Sequence, residues 1–120
     1  MLTLQPGVVY PPPAFWRTLN FAPSYLWFDV SNATASIPGA TVTSWWRSKE
    51  HNARVGGAAR SQHLIGTAVD VWAPDRRVYE QIKGNLRWAQ YVLDEGDHLH
   101  VQLWRKDTPG LLAMIDWLAA

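Results

Sequence analysis

The chain has 120 residues, the size of one ordinary domain, and its 11 Lys and Arg nearly balance its 10 Asp and Glu; no long-range field draws it to nucleic acid or to an anionic membrane. It has no cysteine, which excludes a disulfide framework, a thiol nucleophile and a cysteine-ligated zinc finger, so any metal must rest on histidine and carboxylate. The opening MLTLQPGVVYPPP lacks the basic start and apolar run of a secretory signal, and no stretch reaches the roughly 18 apolar residues of a membrane span, so the expectation is a soluble protein without its own export signal and without membrane insertion.

In chain order, residues 10–13 (YPPP) read as a polyproline-like exposed arm or wrap, open to docking on a partner. Residues 15–30 crowd apolar side chains without a clean period and read as a short helix or irregular core-covering segment, followed by a turn region over 32–39. TVTSWW at 41–46 is β-branched and aromatic, the composition of a strand. Ser48 caps a helix that runs through Val55 and is stopped by Gly56-Gly57. Residues 58–66 are small and polar and read as a loop, and residues 67–72 as a strand with Ala68 and Asp70 on one face. Pro74 and Asp75 open a helix to about Lys83, with Gly84 closing it.

Residues 86–93 read as a strand, 94–97 as an acidic turn, and 98–104 as another strand. Thr108-Pro109 then caps a last helix with Leu111, Leu112, Ile115 and Leu118 on one stripe. Strands and helices mix without a βαβ rhythm, so the expected class is α+β, one domain with an antiparallel sheet and flanking helices. Within it, residues 1–40 form an N-terminal arm and covering segment and 41–120 the core that carries the chemistry. Of the 8 tryptophans, most are expected in the core and one or two along a cleft, with Trp72 and Trp104 suited to either place.

Three of the four histidines fall in two polar islands among apolar strands: Ser61-Gln62-His63 with Asp70, and Asp97-His98-Leu99-His100. In a strand, His98 and His100 project from the same face and can approach one point, which Asp70 on a neighbouring strand and His63 in the preceding loop can also reach. Two imidazoles and a carboxylate leave a tetrahedral zinc one open position, the arrangement of a hydrolytic site. A proton carrier beside the metal is then needed, and Asp97, three residues before His100, fits. Arg47 is placed to hold a developing oxyanion or a substrate carboxylate in a guanidinium fork, although a structural ion pair is the other reading. His51 reads as an ordinary polar residue of its helix, and Gly66 as a turn residue.

The run SQHLIGTAVD from Ser61 to Asp70 resembles the S-x-H-x-x-G-x-A-x-D motif of the D-alanyl-D-alanine carboxypeptidase family of zinc peptidases, in the group that also contains lysostaphin and the hedgehog signalling domain. DHLH at 97–100 resembles the second motif of its peptidoglycan-cleaving branch, and VTSWWRSKEHNARVGG at 42–57 resembles the segment that precedes the first. The resemblance spans residues 42–103. It implies that His63, Asp70 and His100 bind one Zn2+, that Asp97 acts as general base and then acid, and that Arg47 holds the substrate. It further implies that His98 adds a donor at the transition state and that Ser61 orients the site or the substrate. The implied substrate is the peptide of peptidoglycan stems, cut by a D,D-carboxypeptidase or endopeptidase.

Relatives include phage endolysins, so the expected setting is a phage virion or lysis system acting at the cell wall after synthesis in the cytoplasm. Two departures stand out: Trp45-Trp46 replaces the usual Gly-Tyr before the arginine, which is expected to reshape the cleft, and the segment before residue 42 is short. The rival reading is a non-catalytic zinc-binding module of a virion or tail. A nucleic-acid enzyme is disfavoured by the near-zero net charge.

Overall fold

A computed structural model describes residues 2–120, leaving only Met1 of the predicted arm outside. Five strands, β1 (Thr3–Leu4), β2 (Thr41–Ser44), β3 (Ala68–Trp72), β4 (Tyr91–Asp94) and β5 (Leu99–Gln102), form one sheet in the order β1-β2-β3-β5-β4. Five helices surround it: α1 (Pro13–Thr18), α2 (Ala22–Ala33), α3 (Lys49–Arg54), α4 (Tyr79–Asn85) and α5 (Leu111–Leu118). The class is α+β, as the order of elements suggested. The sheet is mixed rather than purely antiparallel, because β1, which the sequence did not reveal, runs parallel to β2 while the other pairs are antiparallel.

Alternation along the two central strands divides the protein into a core side and a site side. Val69 and Val71 of β3 pair in register with Val101 and Leu99 of β5, and all four are buried. Their core also takes Leu26, Val30 and Ala33 of α2, Tyr79 and Ile82 of α4, and Ile115 of α5. Burying each Leu, Val or Ile side chain contributes about 1.5–3 kcal/mol. The intervening residues point the other way, so the pairs Asp70–His100 and Ala68–Gln102 stand in register on the opposite face. A register irregularity between Val42 and Ser44 brings Ser44 opposite Asp70, turning the end of β2 toward that same face.

Several expectations are corrected. The proline arm packs on the protein itself: Pro11 is buried, its carbonyl accepts from Trp16 Nε1 at 2.9 Å, and a Cβ at Gly66 would lie 2.3 Å from Pro11 Cγ. Gly66 is therefore needed both for that approach and for its φ of +78°, in the left-handed region. The apolar stretch of 15–30 is two helices, and α2 extends to Ala33 into the predicted turn region. Residues 58–66 contain a 3₁₀ turn at Gln62–Ile65 rather than open loop. The helix expected from Pro74 is a 3₁₀ turn at Arg76–Val78 followed by α4, which runs through Gly84.

The strand expected over 86–93 is displaced, since β4 begins only at Tyr91. Residues 87–89 instead turn their N–H groups onto the buried Asp29 of α2, at 2.7, 2.9 and 2.7 Å. Ser48 caps α3 as expected, accepting from His51 N at 3.1 Å. No helix among the described residues is long and apolar enough to cross a membrane.

Candidate active site

His63 owes its position to a short turn fixed at both ends. Ser61 Oγ accepts from His63 N at 3.1 Å to start the 3₁₀ turn, and left-handed Gly66 closes it. The two tryptophans before Arg47 brace this turn from behind: Trp45 Nε1 donates to Gly66 O at 2.8 Å and Trp46 Nε1 to Leu64 O at 3.0 Å. Trp45 is itself buried and stacks on Trp27 with ring centroids 5.0 Å apart. Against expectation, none of the tryptophans lines the cleft in which the site sits. The Trp45-Trp46 departure shapes the support of His63 instead.

The ring of His63 is 1 % exposed, and its Nδ1 donates to Trp45 O at 2.6 Å. A carbonyl only accepts, so the proton of the neutral imidazole is on Nδ1 and the lone pair is on Nε2, which lies 3.2 Å from Asp70 Oδ1. A matching arrangement holds His100. Gln102 Nε2 donates to Trp104 O at 3.2 Å, which turns Gln102 Oε1 toward His100, and His100 Nε2 donates to it at 2.8 Å. His100 Nδ1 then faces Asp70 Oδ1 at 3.1 Å.

One ligand atom each from His63, Asp70 and His100 thus lies within 4.8 Å of the others. With both imidazoles neutral, two lone pairs and a carboxylate oxygen converge with no proton between them. That donor set fits a zinc-like cation, with each imidazole oriented through its other nitrogen by a fixed acceptor.

Arg47, directly after β2, holds the remaining oxygen of Asp70. Its Nη2 donates to Asp70 Oδ2 at 3.0 Å, its Nε to Ser44 Oγ at 3.0 Å and its Nη1 to Asn52 Oδ1 at 3.3 Å. Gly57 permits this close approach, since a Cβ there would be 2.0 Å from Asn52 Oδ1. Arg47 is therefore a structural partner of Asp70 that also borders the cleft.

His98 sits in the bend before β5, with Nε2 3.8 Å from Asp70 Oδ1 and 3.8 Å from Glu95 Oε1. Asp97 stands behind it: its side chain is 88 % exposed and its Oδ1 accepts from His98 Nδ1 at 2.6 Å. The cleft, of about 680 Å³, is bordered by Ser61, His98 and Glu95 as well as the three clustered residues, whereas Asp97 is not among its walls. Sequence reasoning missed Glu95, Asn52 and Gln102. Only Gln102 carried a usable signal, being two residues from His100 on the same strand face.

Charge and burial oppose one another here. Burial would raise the pKa of Asp70, but His100 and His63, which in their protonated forms donate to it and attract it, hold it well below the ordinary carboxylate range. For His63 burial dominates and lowers the pKa, against the pull of Asp70. For His100 burial also acts downward, but Asp70 and Gln102 outweigh it and the pKa is raised.

The pH dependence of stability follows. A depressed folded pKa gives stability that is present above the unfolded value, about 3.9 for Asp, and is lost as pH falls through the folded value. His63 loses stability as pH falls below about 6.5, whereas the contribution of His100 is complete below that value and is lost as pH rises through its raised folded value, so the two act on opposite sides of about 6.5. In chelator-treated protein, the melting-temperature advantage of wild type over Asp70→Asn should grow as pH falls from about 7 towards 5, because Asp70 supports the protonated forms of both imidazoles, and shrink again below about 4 as Asp70 itself is protonated. An advantage that shrinks steadily from pH 7 downward would contradict this electrostatic account.

The model of the peptidase M15 family matches residues 34–102, a span containing Arg47, His63, Asp70, Asp97, His98 and His100, and the chain belongs to that family. No curated protein and no solved structure matches it. The family implies a peptidase, and the His63, Asp70 and His100 cluster could hold the metal of one.

Proposed function

We propose that this chain is a zinc-dependent peptidase that hydrolyses peptide bonds in peptidoglycan stem peptides, as a D,D-carboxypeptidase or endopeptidase of a phage lysis system or virion. The observation that carries the reading is the convergence of His63 Nε2, Asp70 Oδ1 and His100 Nδ1, with both imidazoles oriented by acceptors on their far side, in the wall of an open cleft. Zinc, when held by these three residues, supplies Lewis-acid polarisation and water activation near neutral pH.

The chain's own groups do the rest. Hydrolysis requires a proton to leave the attacking water and reach the departing amine nitrogen, a service worth about 10²–10⁴-fold. His98 Nε2 faces the centre to carry that proton, because Asp97 fixes Nδ1–H on the far side. Asp97, placed in the proton path by its spacing, thus acts through His98. Arg47 keeps Asp70 aimed with one side of its guanidinium and offers its remaining N–H to a substrate oxygen at the cleft. Ser61 holds the His63 turn at the same wall.

Purified peptidoglycan incubated with the protein should acquire new amine ends, lose that increase when a chelator is present, and regain it when zinc is restored. Release of amines that is indifferent to chelator would refute the zinc reading. Stoichiometric zinc binding with no amine release from any wall preparation would assign the chain to a non-catalytic binding module of a virion.

A further inference from the structure

Away from the cleft, α2 carries a surface that the peptidase reading does not use. Phe21, Tyr25 and Phe28 recur at helical spacing on the side turned from Leu26 and Val30, and are 55 %, 51 % and 57 % exposed. Trp88, 51 % exposed, meets Tyr25 edge to face with centroids 5.6 Å apart. Single exposed aromatics are ordinary, but a contiguous set marks a binding surface.

The indole of Trp88 is mounted on a fixed backbone. The three N–H groups of residues 87–89 end on the carboxylate of Asp29, which is 3 % exposed. Beside this ring pair lies a groove of about 300 Å³, bordered also by Trp104, by Leu19, Ala22 and Leu103, and by Asn20 and Gln90, with no charged side chain in its walls.

The chemistry of that groove selects its ligand. Phosphate or carboxylate groups would need a cation in the walls, and a wholly apolar peptide would leave the Asn20 and Gln90 amides without partners. Aromatic faces with two flanking amides suit a neutral ring that is apolar on its C–H face and carries hydroxyl and acetamido groups at its edge. The groove and the catalytic cleft lie on opposite faces of the same end of the β4–β5 pair: Gln90 and Leu103 border the groove, while their chain neighbours Tyr91 and Gln102, turned the other way by strand alternation, border the cleft.

We propose that the Tyr25–Trp88 groove is a saccharide subsite that binds the glycan strand of the wall polymer. The choice of that polymer rests on the peptidase reading; the preference for a neutral amino sugar rests on the groove alone.

The test titrates the full chain with the β-1,4-linked tetramer of N-acetylglucosamine, and with wall glycan stripped of its stem peptides, by calorimetry. Wild type should bind both. Trp88→Ala should weaken binding at least tenfold and Tyr25→Ala several-fold, while Trp88→Phe should keep most of it. Trp117→Ala, on α5 and outside the groove, should bind as wild type. The Asp29 bonds reach only the backbone of residue 88, so the variants retain that anchor, and circular dichroism checks it. Trp88→Ala should cut a sugar-free stem peptide at the wild-type rate and intact peptidoglycan more slowly.

The proposal is overturned if wild type ignores both saccharides or if Trp88→Ala binds them as well as wild type does. It is equally overturned if Trp88 is required instead for binding phosphatidylglycerol vesicles or for self-association in sedimentation. Saccharide binding without amine release would remove the peptidase reading and keep the subsite, and amine release without saccharide binding would do the reverse.

Discussion

His63→Ala should leave the purified protein almost free of metal and lower amine release from peptidoglycan by about 10³-fold or more. Two ligands remain in this variant, but Asp70 and His100 alone cannot complete the set of three that an open tetrahedral site needs. Added alanine also abandons Trp45 O, the acceptor that fixed the ring's tautomer. Gln102→Leu separates ligand from support. It keeps all three metal-binding side chains and removes the acceptor of His100 Nε2–H together with the amide's bond to Trp104 O, so a smaller loss of about 10–100-fold in metal affinity or activity is expected. Metal content by elemental analysis, amine release and circular dichroism on the same preparations distinguish the cases. A folded His63→Ala protein that retains stoichiometric metal and near-normal activity would refute the assigned ligand set.

The part of the site legible in sequence was the part governed by strand alternation. Asp70 and His100 are polar positions in otherwise apolar strands, and a period of two puts each on the face away from its valine and leucine neighbours. That inference needed no knowledge of pairing, and the pairing in register followed from the sheet. Positions set by long-range contacts were not legible. Nothing local to the YPPP segment signals that Pro11 will rest on Gly66, and nothing local to DEGDH says that Asp97 will turn outward to hold His98 while Glu95 turns in.

Helix α2 was obscured for a different reason. A helix is recognised by contrast between an apolar and a polar face, and α2 is apolar inward and aromatic outward, so Phe21, Tyr25 and Phe28 erased the period. Of these three, Tyr25 also borders the proposed saccharide groove. The misplaced strand over 86–93 has a related origin. Its composition suits a strand, but the N–H groups that a ladder would use are already engaged by a side chain 58 to 60 residues away.

That side chain makes Asp29 the position where the largest loss of stability is expected outside the metal cluster. Its carboxylate is buried, and both oxygens are engaged by backbone N–H groups, one by Arg87 N and the other by Trp88 N and Ala89 N. Asp29→Ala removes three hydrogen bonds at once. Each N–H left without an acceptor costs about 1–3 kcal/mol, and water reaching this partly exposed segment recovers some of that, so a net loss of about 3–5 kcal/mol is expected. For a domain of this size such a loss lowers the melting temperature by roughly 10–20 °C. Asp29→Asn keeps one oxygen but presents an NH2 where an acceptor was, and should fall between the alanine variant and wild type. The same anchor sets the course of the chain into β4, which carries Tyr91 at the cleft and follows Trp88 at the groove. The asparagine variant, assayed below its melting transition, should therefore lose saccharide binding before it loses zinc, because His63, Asp70 and His100 are held by β3, β5 and the Gln62–Ile65 turn and not by this segment. Thermal melts with and without zinc, alongside saccharide titration, read both effects; an Asp29→Ala protein that melts within a degree or two of wild type would refute the anchoring role.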